Sequence, residues 1–417
     1  VKPGYNVHKD KSDKFQRRLF YEARSCTQSY YCNHSLVSLS GSTCPPTFCR
    51  LVVTLSGIFS NFLKFVIPLM ILAYVTMGIA DLSQGAGKLL LITAIIAYCS
   101  TLVGGTYSFF VADNLFPSFI NAGVLEEISK TAGTSLEPYF TIAIPPILDT
   151  ISAVVLAFIM GLCLSNMKGK EMGTTLYNGM KDFSTIIDAV LKNAIVPFLP
   201  LYICGTFVDM TKSGKTFVIL SVLWKVFLVV IIMHLTLLFV QFLLSGTIAH
   251  KNPFTLMKNQ IPGYTTALGT QSSAATIPVN LQCSEADGVC DQIRNFVIPL
   301  CANIHMCGSM ITITACATAV CLMYQLPINL GIVIPFIMTL GVCMVASPGA
   351  PGGSIMTALP FLWMIFGKQA GDPNGPICAL MVALYITQDS FGTACNVSGD
   401  NAIAVVVDKI YKTWIEK

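Results

Sequence analysis

Tyr385-Ile-Thr-Gln-Asp-Ser-Phe-Gly-Thr-Ala-Cys-Asn-Val-Ser-Gly-Asp400 is the stretch from which the rest of this chain is read. It begins as the polar second half of a long apolar segment, Pro376 to Tyr385, and runs into another apolar run, Ala402 to Val407. Asp389, Thr393, Asn396 and Asp400 are spaced four, three and four apart, so they share one face of a helix. Two carboxylates in an apolar membrane helix are costly unless they meet cations, water or a substrate. Two readings compete: a polar seam between packed helices, and a binding face for a cation and an ammonium group. The second is preferred, because no Lys or Arg stands among these residues to neutralise the charge.

Composition identifies the solvent. Of 417 residues 54% are hydrophobic and 11% charged, with a mean hydropathy of +0.68. An average soluble protein carries roughly 25% charged residues, so this is a multispanning membrane protein. The net charge of +4 is spread too thinly for nucleic acid and fits basic membrane-flanking loops. Many of the sixteen cysteines, Cys99, Cys163, Cys204, Cys316, Cys321 and Cys343 among them, stand alone in apolar runs as small hydrophobes. Cys26, Cys32, Cys44 and Cys49 lack the close pairing of a zinc site.

Residues 1–50 are basic and atypical, with no apolar run of the ~20 residues that a span needs and no signal-peptide core. Apolar spans are expected at Leu51–Ala80, Lys88–Val111, Tyr139–Met167 and Thr216–Leu244. Between the second and third lies a polar loop, Ala112–Glu137, with Glu126, Glu127 and Lys130. Lys181–Met210 carries Asp182, Asp188, Lys192 and two prolines, and is expected to be broken or packed inside protein.

The second half alternates interrupted and continuous segments. Asn252–Cys283 centres on Gly269-Thr-Gln-Ser-Ser-Ala-Ala-Thr-Ile-Pro278; the span Phe296–Tyr324 has a polar patch from Asn303 to Ser309. Ile328–Phe366 is broken by Ser347-Pro-Gly-Ala-Pro-Gly-Gly-Ser354, and the polar-faced helix follows. Non-helical backbone at membrane depth leaves N–H and C=O groups unpaired, which only a cavity or a ligand makes tolerable. Two such tips, each followed by a polar span, point to inverted repeats around a central site, with half-helix N-termini attracting an anionic group.

At this point the chain resembles the dicarboxylate/amino acid:cation symporters, the glutamate-transporter family, over about residues 51 to 410. Ser272-Ser-Ala-Ala-Thr-Ile-Pro278 is similar to that family's first hairpin tip. Pro299-Leu-Cys-Ala-Asn-Ile-His-Met-Cys-Gly-Ser309 is similar to its seventh-helix motif, Gly349-Ala-Pro-Gly-Gly353 to its second tip, and Asp389 to Asp400 to its final-helix signature.

The resemblance implies an all-α elevator-type transporter with two re-entrant helical hairpins and discontinuous helices. It implies a homotrimer, multi-pass in a lipid bilayer, the cytoplasmic (inner) membrane of a bacterium. Residues 51–250 would be mainly trimerisation scaffold, except 88–111 and 216–244, which join the transport core at 251–410; 411–417 form a tail. The small-molecule substrate would meet Asp389 with its amino group and Asn396 with its carboxylate. Ser272, Ser273, Ala350, Pro351, Gly352, Gly392 and Thr393 would line the rest of its site. No cofactor is implied beyond Na+ as coupling ion. One ion would sit at Asp400, with Asn396 and the carbonyls of Cys301 and His305; another on carbonyls of Asn303 and of Met344, Val345 and Ser347, hard oxygens that suit such an ion.

Departures from the family pattern refine these expectations. Acidic-substrate members place an Arg where this chain has Gly392, so a second substrate carboxylate would lack its bidentate partner. A small neutral amino acid is favoured; a dicarboxylate needs another donor, Gln388 or Thr393, turned inward. Tyr385 replaces an acidic residue one turn before Asp389. A third sodium site, of which Tyr98 and Thr101 remain, loses its other ligands to Leu102, His305 and Cys307, since imidazole and thiol suit a hard cation poorly. His305 is read either as a proton carrier in the lost ion's place or as a neutral donor to a carbonyl. The family's early membrane helix has no counterpart in residues 1–50. Enzyme chemistry has one candidate pair, Cys307 and His305, and residues two apart on a helix do not face each other. A passive channel could use the same polar face; accumulation against a gradient distinguishes it. Lys88, Lys168, Lys170, Lys181, Lys251 and Lys258 are expected on the cytoplasmic side, with Lys212 and Lys215 against the trend.

Overall fold

A computed structural model describes residues 45–82, 87–121, 136–148, 150–167, 173–195, 216–344, 347, 352–368, 370–373 and 375–415, with isolated positions between 197 and 208. The basic region 1–44, the loop charges Glu126, Glu127 and Lys130, the lysines Lys168, Lys170, Lys212 and Lys215, and the site candidates Val345, Ala350 and Pro351 lie outside the described residues.

Helices account for nearly all of what is described. In order they are α1 (Pro46–Leu82), α2 (Gly87–Leu115), α3 (Thr150–Met167), α4 (Thr174–Val190), α5 (Thr216–Ala249), α6 (Pro253–Thr270) and α7 (Ser273–Ala286). Then come α8 (Asp291–Ile304), α9 (Cys307–Met323), α10 (Leu330–Met344), α11 (Gly353–Ala358), α12 (Trp363–Phe366), α13 (Pro376–Ile386) and α14 (Asp389–Ile410). Among the described residues four helical stretches are long and apolar enough to cross a bilayer, the broken pair α8–α9 being one, and five if the bent pair α13–α14 counts as another.

The outward face of α5 shows why. Trp224, Leu228, Ile232, Leu235, Phe239 and Leu243 recur at three- and four-residue intervals and are all exposed. Such a stripe needs a lipid neighbour, while the helix satisfies its own backbone. Inside, α9 has almost every side chain buried and packs against α2, α5, α13 and α14. Its approach to α14 is close: a Cβ on Gly308 would lie 2.4 Å from Gly392 O and 2.5 Å from Cys395 Cβ. Only glycine permits that crossing. Helices α2 and α5 pack against α9 and α14, whereas α1 packs chiefly against α3 and α4.

Three segment boundaries depart from the apolar pattern. The span expected over Tyr139–Met167 is helical only from Thr150; 136–148 is non-helical. Pro145 and Pro146 explain this, since each lacks an N–H and pushes its predecessor toward extended backbone. That segment is tied to α1 instead, through Arg50 Nε to Glu137 O (2.9 Å), Tyr139 N to Thr54 Oγ1 (2.9 Å) and Asn61 Nδ2 to Ile142 O (2.7 Å). Helix α4 begins at Thr174 rather than Lys181 and gives way to a wider turn at Leu191–Ile195, the break that its composition led one to expect. Finally, the polar-faced helix is not continuous with Pro376–Tyr385, because α13 and α14 meet at a 59° bend at residues 387–388.

Helices α6 and α7 form an antiparallel hairpin, with Gln260 Nε2 on Asn280 Oδ1 (3.0 Å). Its tip turns through Gln271, whose backbone is left-handed at φ 53°, and Ser272 Oγ caps α7 by accepting from Ala275 N at 3.2 Å. The break between α10 and α11 also ends on a left-handed residue, Gly352 at φ 73°.

Candidate functional site

The 59° bend starts a new helix at Asp389, so the positive end of the α14 dipole faces that carboxylate inside the protein. Asp389 is buried, and both its oxygens are held by neutral donors. Tyr385 Oη donates to Oδ1 at 2.8 Å and Gly352 N to Oδ2 at 2.7 Å. The next residue, Ser390, accepts on its Oγ from Gln271 Nε2 at 2.8 Å. Thus adjacent residues of α14 are bonded to the turns that follow α6 and precede α11.

About two turns further in, Asn396 meets the start of α9. Its Oδ1 accepts from Gly308 N (2.8 Å) and Ser309 N (3.3 Å), two N–H groups that lack partners within their own helix. Its Nδ2 donates to Ser309 Oγ (2.9 Å) and reaches Met306 Sδ (3.4 Å). Ser354 Oγ, in α11, donates to the same Ser309 hydroxyl at 3.1 Å. Asn396, Ser309 and Ser354 therefore form one buried polar cluster where α9, α11 and α14 meet, which Asp389 joins through the Tyr385 hydroxyl, and Thr393 is buried on the same helix face. Ser273 is buried at the first position of α7, beside the tip that Gln271 ties to Ser390.

Gly392 lies elsewhere. A Cβ there would stand 3.4 Å from Thr312 Oγ1 and 3.5 Å from the Gly308 carbonyl, so this position faces the α9 backbone rather than an open wall. Gln388, which could have supplied a donor for an acidic side chain, turns its Nε2 to Leu384 O (3.1 Å) and Cys316 Sγ (3.4 Å).

The residues expected around sodium are partly engaged with the protein itself. Asp400 is buried, with Oδ1 2.9 Å from His305 Nδ1. His305 Nε2 is 2.9 Å from Ser100 Oγ, which accepts from Gln241 Nε2 at 2.9 Å. The partner of His305 is thus a carboxylate, not a carbonyl. Asn396, placed by expectation at this ion, directs its oxygen to Gly308 and Ser309 instead. The Cys301 carbonyl accepts from His305 N at 2.8 Å. Asn303 is exposed and turns Nδ2 back to Pro299 O at 2.9 Å; Met344 and Ser347 are buried, joined by Ser347 N to Met344 O at 3.0 Å. Of the third-site candidates, Thr101 Oγ1 accepts from Met306 N (3.3 Å), and Tyr98 Oη reaches Met338 O (3.2 Å).

A ladder of amides runs beside the cluster. Asn280 Nδ2 donates to Val397 O (2.9 Å), and Asn401 Nδ2 to Gln260 Oε1 (2.8 Å) and Asp287 Oδ2 (2.7 Å), while Asn259 Nδ2 reaches Asp287 Oδ1 (2.8 Å). These bonds fix both arms of the α6–α7 hairpin to α14.

Two members of the surroundings, His234 and Gln241, lie in α5, which the apolar pattern presents as a clean span. His234 Nε2 lies 3.0 Å from Gly308 O and 3.2 Å from Thr312 Oγ1. Seven residues apart, His234 and Gln241 fall on one helix face. That spacing of polar side chains in an apolar span is the signal that could have marked them.

The profile of the sodium:dicarboxylate symporter family matches residues 35–410. The serine/threonine transporter SstT of Acinetobacter baylyi is 27% identical over 380 residues, covering 85% of this chain and 90% of its own length. SstT of Acinetobacter baumannii is 26% identical over 379 residues, covering 87% and 91%. Excitatory amino acid transporter 1 of Mus musculus is 27% identical over 269 residues, covering 63% of this chain and 47% of its own. These relatives are transporters.

Proposed function

Because the chain belongs to the sodium:dicarboxylate symporter family, we propose that it is a secondary transporter coupling the movement of a small neutral amino acid, of serine or threonine size, to a cation gradient. The observation that carries this reading is the state of Asp389. Among the described residues, this buried carboxylate has its two oxygens held by a phenol and a peptide N–H. A substrate ammonium supplies the positive partner that such a carboxylate lacks.

The substrate carboxylate then belongs with Asn396 Nδ2, the hydroxyls of Ser309 and Ser354, and the N-terminal turn of α7 at Ser272 and Ser273. Among the described residues no Arg occurs near these groups; Arg294, the one Arg beyond residue 50, is ion-paired with Asp291 at 2.8 Å. With Gly392 against α9 and Gln388 turned away, a second carboxylate finds no bidentate donor, which favours a neutral side chain over glutamate or aspartate. The serine/threonine relatives agree with that preference.

In this reading both hairpins are re-entrant, three copies of the chain assemble, and α2, α5 and residues 251–410 move as the transport unit. The separate packing of α1 with α3 and α4 supports that division. Sodium is the coupling ion, on the carbonyls of Asn303 and the Met344–Ser347 stretch, in a bacterial inner membrane.

The experiment is uptake of serine, threonine, alanine and aspartate into proteoliposomes under an inward sodium gradient. Sodium-driven accumulation of a neutral amino acid is expected. Micromolar aspartate binding without binding of serine, alanine or threonine would overturn the substrate assignment, and flux without accumulation would make the protein a channel.

A further inference from the structure

The sodium ion expected at Asp400 does not fit what surrounds that carboxylate. Asp400 is 1% exposed and His305 0%. The hydrogen bonds around them follow one direction. Gln241 can donate to Ser100 Oγ only from its nitrogen, at 2.9 Å, which leaves the Ser100 hydrogen free for His305 Nε2, also at 2.9 Å. Nδ1 then carries the hydrogen that Asp400 Oδ1 receives at 2.9 Å; the tautomer is assigned from this network. Where a metal ion needs lone pairs, the protein presents an N–H.

Space agrees with hydrogen bonding. A Cβ on Gly399 would lie 2.5 Å from His305 Cε1 and 3.0 Å from Gln241 Oε1. The ring is therefore packed against α14 one residue before Asp400, and glycine is what admits it. The other donors of the expected site are committed too: Asn396 Oδ1 to two N–H groups, and the Cys301 carbonyl to His305 N. Asp400 Oδ2 and Gln241 Oε1 are the buried acceptors left here without a hydrogen bond, two oxygens where a hard cation gathers about six or more.

We propose that His305 is a built-in substitute for a coupling ion at Asp400. Its imidazole N–H satisfies the carboxylate in place of sodium, and residue 305 sets how many sodium ions accompany each substrate. This inference rests on the symport reading above and adds to it a residue that determines ion stoichiometry.

The test is to measure serine affinity of the purified full chain as a function of sodium concentration. The slope of log Kd against log sodium concentration counts the ions taken up with the substrate. His305→Asn replaces the ring with a smaller amide that can offer an oxygen, and should steepen the slope by about one ion. An unchanged slope in a folded His305→Asn protein overturns the proposal. Should that variant not fold, the wild type answers by NMR on protein labelled with 15N-histidine. Among the described residues His305–Asp400 is the one histidine–carboxylate pair, and its hydrogen-bonded imidazole proton should persist in saturating sodium. Loss of that proton signal on adding sodium overturns the proposal equally. The NMR measurement needs no substrate, whereas absence of serine binding at every sodium concentration fails the transport reading alone.

Discussion

Tyr385 Oη donates to Asp389 Oδ1 across 2.8 Å from the far side of the 59° bend between α13 and α14. A phenol can hold a carboxylate without neutralising it, so the charge stays available for a ligand. Asp389→Asn should lower serine affinity by about 3–5 kcal/mol, the cost of breaking a buried charge pair, or about a hundredfold or more in Kd. Tyr385→Phe, which strands one acceptor, should cost about 1–3 kcal/mol. Equilibrium binding, with thermal melts to show that each variant is folded, checks both values. Unaltered affinity in a folded Asp389→Asn protein would remove Asp389 from the site.

A Cβ at Gly392 would meet Thr312 Oγ1 and the Gly308 carbonyl at ordinary contact distances of 3.4 and 3.5 Å, so anything longer grows from there toward α9. Gly392→Arg should therefore not create an aspartate transporter. The long side chain has to enter the crossing of α9 and α14, and overpacking there costs about 1–3 kcal/mol. Lower melting temperature without new aspartate binding is the expected pair of results; tight aspartate binding would show that position 392 opens on the substrate.

The same crossing is tighter from the other side. Gly308→Ala would place a methyl 2.4 Å from Gly392 O and 2.5 Å from Cys395 Cβ, both on a buried helix. A loss of about 1–3 kcal/mol is expected, visible as a fall in melting temperature larger than that for Gly57→Ala or Gly179→Ala, whose added methyls would meet no atom within 4 Å.

At the α6–α7 tip, Gln271 combines a left-handed backbone with a bond to Ser390. Gln271→Ala loses the bond and keeps the strain, whereas Gln271→Gly loses the bond but relieves a strain of about 1–2 kcal/mol. The glycine variant should be the more stable of the two in thermal unfolding. Equal stabilities would mean that the tip relaxes when its side-chain anchor is gone.

The polar face of α14 is legible in the sequence because helical spacing converts residue numbers directly into a shared surface. The tips at Gln271 and Gly352 are legible too, since Ser, Gly and Pro interrupt runs that are otherwise apolar. The bend at 387–388 is not: Ile386-Thr-Gln388 contains neither Gly nor Pro, and only packing sets that angle. Nor does any local pattern bring Ser100, Gln241 and His305 to Asp400, since their separations in the chain range from 64 to 300 residues. Gly392 is the instructive case. Its identity alone suggests a missing guanidinium, whereas its surroundings show a position that faces Thr312 and the Gly308 carbonyl of the neighbouring helix.

The amide ladder between the α6–α7 hairpin and α14 bears on motion. Its rungs engage Ser390, Val397 and Asn401, spread over three turns of one helix. Sliding the hairpin by a single turn, about 5.4 Å, would break every rung at once and strand several buried amides. The two elements consequently behave as one stiff spar, and any displacement that carries Asp389 and Asp400 must bring the whole hairpin along as freight.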